Sequence, residues 1–394
     1  MAMKSFRFTR TPQLIAGADA LITIASHERL AESRQILLVT GNHSYRESDH
    51  YSIFLKALQS NGRAVTELII PGEPAPQWID AASEQARANG TDCVIAVGGG
   101  SVLDAGKAVS AMIPQDGSVS DFLEGIGTRV HDGRKCFFVA APTTSGTGSE
   151  ATANAVLSNV GFDGFKRSLR HENLVPDIAV LDPMRMLSCP PSVTAASGLD
   201  ALTQLTEAYV STKANPLTDA LALSGLRALG ANLIPACTSD AENPETRLSM
   251  AYGAYLSGIV LANAGLGLIH GFASVLGGYY EIPHGVVCGT LQGATVRTNI
   301  QLLKNQGEDG LWGLKRYADV YAALTNTSEP DIHTACDRLT DTLDGWIDSL
   351  RIPRLRSFGV LPEHLDRIAQ ESGNKNNPVE VPPEKMLEIL NSRL

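Results

Sequence analysis

From about residue 35 to 185, short apolar runs alternate with amphipathic stretches. Residues 35–40, 64–70, 93–97 and 136–140 each read as a buried strand, with helices near 52–61 and 78–89 between the first three. That alternation is the rhythm of a parallel α/β sheet. After Cys189-Pro190-Pro191 the pattern changes to long Ala/Leu-rich segments with helical spacing, 195–211, 216–229 and 246–262, and little that reads as a strand. The expected organisation is an α/β domain over residues 1–188 followed by an all-α domain over 189–394. No repeat, low-complexity tract or flexible linker separates them, so the cleft between the two is the default place for a site.

Two of the strand ends carry glycine-rich chemistry. Val94-Ile-Ala-Val-Gly98-Gly99-Gly100-Ser101-Val-Leu-Asp104-Ala-Gly106-Lys107 reads as strand, glycine turn, helix. A helix N-terminus offers unpaired N–H groups and a partial positive charge, and glycines let a pyrophosphate approach that backbone. A bare structural turn is the alternative. A second run, Thr143-Thr144-Ser145-Gly146-Thr147-Gly148-Ser149, also follows an apolar strand and sets five hydroxyl side chains and two glycines in a chain free to curl round a ligand. Two such loops in one domain favour a dinucleotide over a polar surface loop. The spacing differs from G-x-G-x-x-G, and the glycines lie on the third strand-like run, so the nucleotide site must be built differently from the common fingerprint.

Composition narrows the partners. The 394 residues, 43% of them hydrophobic, suffice for two packed domains, and a formal charge of −10 with no Lys/Arg-rich block argues against nucleic acid and anionic membranes. A small molecule is the expected partner. The longest apolar stretches fall short of a bilayer span, and the N-terminal residues do not read as a secretory signal, which points to the cytosol. Six cysteines without CxxC pairing suit a reducing compartment and speak against a cysteine metal cage.

In the second half, Asp200 and Gln204 stand one turn apart on one helix face, and His270 and His284 occur in apolar, Gly-rich settings. A lone buried histidine is more often a hydrogen-bonded core residue than a ligand, but two that converge with a carboxylate reverse those odds. The motifs GGGSVLDAGK, PTTSGTGSEAT, GLDALTQLTEAY, LGLIHGFAS and IPHGVVCG, in this order, resemble the iron-containing alcohol dehydrogenase family, over about Leu37 to Pro378. The resemblance implies an N-terminal α/β nucleotide-binding domain with a parallel, dehydroquinate synthase-like sheet and an α-helical metal-binding domain. It places Gly98, Gly99, Gly100, Ser101 and Asp104 on the pyrophosphate and nicotinamide side, and Thr143, Thr144, Thr147, Ser149 and Lys166 round the cofactor. Its one Asp and three His ligands to a divalent metal, Fe²⁺ or Zn²⁺, fall on Asp200, Gln204, His270 and His284. It also implies a homodimer or larger homo-oligomer.

Two positions depart from the family. Gln204 stands where a histidine ligand is expected, and a neutral amide is the weaker donor. Ser274 replaces a second histidine four residues after His270, which leaves proton transfer to water or the cofactor ribose. Gly41 ends the first strand where an NAD enzyme often sets a carboxylate, and with Ser44 and Arg46 behind it the segment leans toward NADP(H), with NAD(H) the alternative. The expected activity is hydride transfer between NAD(P)H and a short or medium alcohol/aldehyde pair, its oxygen polarised by a metal on Asp200, His270 and His284 in a pocket walled from Leu261 onward. The rivals are a metal-independent reductase of an unsaturated keto acid, of the maleylacetate reductase type, a sugar-phosphate lyase, for which the histidine motifs lack basic residues, and a non-catalytic binding protein on the same fold.

Overall fold

Every residue of Cys93–Gly98 is buried, as a strand with helices on both faces requires. The computed structural model describes residues 5–43, 45–161 and 164–394. Its strands are β1 (Gln13–Ala16), β2 (Gln35–Gly41), β3 (Ala64–Ile70), β4 (Cys93–Gly98), β5 (Phe137–Pro142), β6 (Asn154–Asn159), β7 (Phe165–Arg170) and β8 (Ile178–Leu181). Six form a sheet in the order β1-β8-β5-β4-β2-β3, parallel at every described pairing, while β6 and β7 make an antiparallel pair. Alternation along β2 and β4 sorts the core. Leu37, Val39, Val94 and Ala96 join one apolar cluster, and Ile36, Leu38, Ile95 and Val97 join another on the opposite face.

Helices α1 (Ala20–Thr23), α2 (Glu28–Ala31), α3 (Asp49–Gln59), α4 (Pro76–Ala88) and α5 (Gly100–Met112) accompany the sheet. β3 pairs outside β2 and β4 inside it, so the strand order reverses there. In open α/β sheets the crevice beyond the carboxyl ends at such a reversal is where ligands bind. Gly41 and Gly98 close those two ends.

Helices then take over: α6 (Pro191–Val210), α7 (Pro216–Cys237), α8 (Pro244–Ala264), α9 (Leu268–Tyr279), α10 (His284–Asn305), α11 (Leu311–Thr325), α12 (Ile332–Ser349), α13 (Leu365–Glu371) and α14 (Pro383–Ser392). Proline opens α6, α7 and α8 at the first helical position, where its missing N–H costs nothing, and Asn215 closes a capping box with Thr218 at the start of α7. By length and composition alone α7 could cross a membrane, but Ala222, Gly225, Leu226, Leu229, Leu233 and Ala236 along it are buried, and it packs on α6 and α8. α8 and α9 meet at 101° across Gly265, whose φ of +70° favours glycine.

α6 is buried from Gly198 to Val210 without a break, yet carries Asp200, Thr203, Gln204, Thr206 and Glu207. Charged groups in such a helix need partners or a ligand, and this one supplies the centre of the site.

Candidate active site

The first glycine loop is fitted to its neighbours atom by atom. A Cβ on Gly98 would lie 2.6 Å from Val102, and one on Gly100 would lie 2.6 Å from the Thr147 methyl; one on Gly99 would meet nothing nearer than Thr144 Oγ1 at 3.6 Å. α5 begins at Gly100 with no side-chain cap, and Val102 N and Leu103 N donate to Gly99 O, so among the described residues the Gly100 and Ser101 amides are the ones left for an anion. A backbone cradle with an uncapped helix at a switch point fits the pyrophosphate of a dinucleotide.

The second loop is held from both sides. Thr143 N donates to Gly98 O at 2.9 Å, tying it to the first loop. A Cβ on Gly146 would strike Ser197 of α6 at 2.6 Å, and one on Gly148 would strike Gly258 of α8 at 2.5 Å. Its two glycines therefore let it press on the helices. The Ser149 hydroxyl donates to Asp104, whose other oxygen accepts from Val156 N, and buried Lys107 donates to Ser149 O at 2.7 Å. Asp104 and Ser149 thus join α5 to the loop and to β6. Thr143 is nearly buried, whereas Thr144 and Thr147 are partly exposed.

Lys166 on β7 and Ser101 meet through a residue that the sequence reading passed over. Glu73 accepts from Ser101 Oγ at 3.0 Å and from Lys166 Nζ at 3.2 Å. Burial pushes the Glu73 carboxyl up, but Lys166 and Ser101 outweigh it and hold the group below its usual range. Arg46 is drawn back along the sheet to Glu67 of β3, at 2.6 Å, and lies 4.8 Å over the Tyr51 ring. The positive charge expected to meet a 2′-phosphate is already paired. Ser44 lies outside the described residues. A Cβ on Gly41, at the end of β2, would meet the Val102 side chain at 3.6 Å.

On the helical side, α6, α9 and the first turn of α10 bring together Asp200, His270 and His284. Asp200 Oδ1 lies 3.4 Å from His270 Nε2 and 3.7 Å from His284 Nε2, is buried, and has no hydrogen-bond partner among the described residues. His270 is fixed from behind, with Nδ1 2.7 Å from Glu207 Oε2, while Ile269 N donates to Glu207 Oε1 at 2.7 Å. A carboxylate on Nδ1 sets the tautomer that leaves the Nε2 lone pair toward the cluster. Glu207 is seven residues from Asp200 on the same helix face, a spacing that could have flagged it.

Cys288, one turn beyond His284, enters the same cluster, with Sγ 3.7 Å from His270 Nε2 and 3.8 Å from His284 Nε2. The lack of CxxC pairs did not exclude it, because the relevant spacing is His-x-x-x-Cys on a helix. The Gln204 amide instead accepts from Ser257 Oγ of α8 at 2.5 Å. Ser274 donates to His270 O at 2.7 Å and receives Lys375 Nζ at 3.2 Å. Leu261 is half-buried on α8.

Burial drives the His284 imidazole down to about 4 and the Cys288 thiol up to about 12. For His270 burial works the same way, yet Cys288 and the carboxylates of Glu207 and Asp200 outweigh it and raise the group. Burial raises Asp200, and the two imidazoles more than reverse that. A buried carboxylate oxygen with no hydrogen bond, faced by two imidazole nitrogens and a sulfur, is a donor set that fits a divalent cation.

A glycine-rich cradle at a sheet reversal, joined through the second loop to this donor cluster, fits a nicotinamide-linked dehydrogenase. Residues 11–183 match the family described as iron-containing alcohol dehydrogenase and residues 194–394 match its C-terminal part, so the chain belongs to the iron-containing alcohol dehydrogenase family and is an alcohol dehydrogenase. The family uses NAD(P) and iron or another divalent metal. The chain is 35% identical to long-chain-alcohol dehydrogenase 1 of Geobacillus thermodenitrificans over 81% of this chain and 78% of that one, and 33% identical to alcohol dehydrogenase 4 of Saccharomyces cerevisiae over 76% and 75%. A crystal structure of 1,3-propanediol oxidoreductase superposes with a TM-score of 0.88 at 27% identity, covering 99% of this chain and 100% of that one.

Proposed function

We propose that the chain interconverts a primary alcohol and its aldehyde with NAD(H), using a divalent metal held by Asp200, His270 and His284. The observation that carries this reading is Asp200 Oδ1, buried between two imidazole nitrogens and without a hydrogen-bond partner among the described residues. When bound, the metal supplies Lewis-acid polarisation of the substrate oxygen and the nicotinamide gives or takes the hydride. Glu207 holds the His270 ring in place. Gly98 to Ser101 and the uncapped start of α5 take the pyrophosphate, Thr144 and Thr147 line the cofactor from the second loop, and Asp104 and Ser149 position that loop. Lys166 sits behind the cofactor site, clamped by Glu73. NAD(H) is favoured over NADP(H) because Arg46 is paired with Glu67.

The division of the chain at residues 188 and 189, a cytosolic location and a homodimer or larger oligomer belong to the same reading. The oligomer is supported by edge strand β1, whose Leu14 is 39% exposed. The names of the relatives, a long-chain alcohol and a propanediol, bracket the substrate between short and long primary alcohols. The test is the metal content of protein purified without added metal, followed by NADH and NADPH oxidation with an aldehyde series before and after chelation. Turnover that is lost on chelation and restored by Fe²⁺ or Zn²⁺ supports the reading. Full turnover by metal-free protein overturns it in favour of the metal-independent keto acid reductase.

A further inference from the structure

The donor cluster has four members, and the fourth is a thiol. One donor atom from each of Asp200, His270, His284 and Cys288 lies within 4.8 Å of the other three. Four of the separations are 3.4 Å (Asp200 to His270), 3.7 Å (Asp200 to His284), 3.7 Å (Cys288 to His270) and 3.8 Å (Cys288 to His284). A tetrahedral ion with bonds of about 2.0–2.1 Å to N and O and about 2.3 Å to S keeps its ligands roughly 3.3–3.6 Å apart. Those four separations stand a few tenths of an ångström from such a shell, while the two remaining pairs, within 4.8 Å, would draw in on the ion.

Three further observations point the same way. His284 and Cys288 are four residues apart on α10, so one helix face presents both. Asp200 Oδ1 is an orphaned carboxylate oxygen in a side chain that is 2% exposed, and hydrogen bonds explain the other polar side chains of α6 only in part: Thr203 bonds Leu199 O, Gln204 bonds Ser257 and Glu207 bonds His270. Gln204, which the family pattern would make a ligand, already has its amide against Ser257 on α8 at 2.5 Å. A neutral amide is also a poor substitute for the imidazole that the pattern expects, whereas a thiolate is a strong, soft donor.

We infer that Cys288 replaces Gln204 as the fourth metal ligand, giving an Asp-His-His-Cys site that is tilted from Fe²⁺ toward thiophilic Zn²⁺. The inference rests on the metal-dependent reading above, and its test separates the two. Full-length protein loaded with Zn²⁺ is measured by X-ray absorption at the zinc edge. One sulfur at about 2.3 Å beside N/O neighbours at about 2.0 Å is the expected shell. A shell of N/O alone overturns the cysteine ligand and leaves the metal-dependent reading standing, and failure to retain any divalent ion overturns both.

Cobalt-substituted protein gives a second readout. Wild type should show a thiolate-to-cobalt charge-transfer band in the near ultraviolet that disappears in Cys288→Ser and persists in Gln204→Ala. A band that is absent from wild type, or that survives in Cys288→Ser, overturns the inference. In competition with a chelator, Cys288→Ser should hold Zn²⁺ at least about tenfold more weakly and shift the Zn²⁺ to Fe²⁺ ratio toward iron. Circular dichroism checks that the variant folds, and the wild-type absorption shell decides the matter even if it does not.

Discussion

The two sides of the site are built by opposite means. On the sheet side the decisive feature is the absence of side chains: Gly98 and Gly100 leave room that a single carbon would fill, and α5 starts without a cap. On the helical side the decisive feature is the presence of side chains, because buried Asp200, Glu207, His270 and Cys288 and half-buried His284 converge from three helices. The difference teaches how each side fails. On the proposed reading the nucleotide side should break when atoms are added, and the metal side when atoms or charge are removed. Between them lies the second loop, whose Gly146 and Gly148 let it seat against α6 and α8 while Thr143 N holds the first loop.

The largest effect is expected from Asp200→Asn, which keeps shape and removes charge. The variant should purify with little bound metal and lose at least about 10²-fold in kcat/KM, the scale of deleting one electrostatic stabiliser from a closed site, while NADH binding followed by fluorescence is unchanged. Normal metal content and turnover would end the claim that this side of the site works through Asp200.

Next comes Glu207→Gln. The carboxylate bonds both His270 Nδ1 and Ile269 N at 2.7 Å, so the amide can still accept one of them but no longer favours the His270 tautomer. Loss of such a support costs about 10–100-fold in metal affinity. The expected signature is turnover restored by excess metal, which a fold defect would not show.

Much of this was legible in the sequence, and what was not has physical reasons. The runs 35–40, 64–70 and 93–97 became β2, β3 and β4 because buried parallel strands are continuous apolar stretches. β1 and β8, four residues each, are too short to stand out. Asp200, His270 and His284 were readable as residue types in motifs, but Cys288 was hidden by attention to cysteine–cysteine spacing, and Glu73 by the distance along the chain from Ser101 and Lys166. The fate of Arg46 depended on Glu67, a partner on the neighbouring strand that no local pattern announces.

Gly100→Ala tests the sheet side. The added Cβ falls 2.6 Å from the Thr147 methyl and 2.9 Å from its hydroxyl, so the two loops must move apart. The apparent KM for NADH should rise about tenfold, or about 1.4 kcal/mol, with metal content intact. Thr147→Ala removes the obstructing atoms, so the double variant should bind NADH better than the sum of the two single losses. Additive losses would mean that Gly100 is needed for something other than its fit to Thr147.

The smallest effect concerns an ion pair on the sheet side. Arg46 lies 2.6 Å from Glu67, with both side chains less than a third exposed, and this pairing is the reason for preferring NAD(H). Exposed and partly exposed ion pairs are worth at most about 1 kcal/mol, so releasing Arg46 can change cofactor choice only modestly. In Glu67→Gln the guanidinium loses its carboxylate but keeps the Tyr51 ring, and it becomes free to swing toward the end of β2, where a 2′-phosphate would offer a charge-assisted bond. The ratio of kcat/KM with NADPH to that with NADH should rise several-fold, and Arg46→Ala in the same background should cancel the gain. A ratio that does not respond to Glu67→Gln would place Arg46 out of reach of the ribose and leave cofactor choice to the backbone alone, which would make the contrast between the two sides of the site complete.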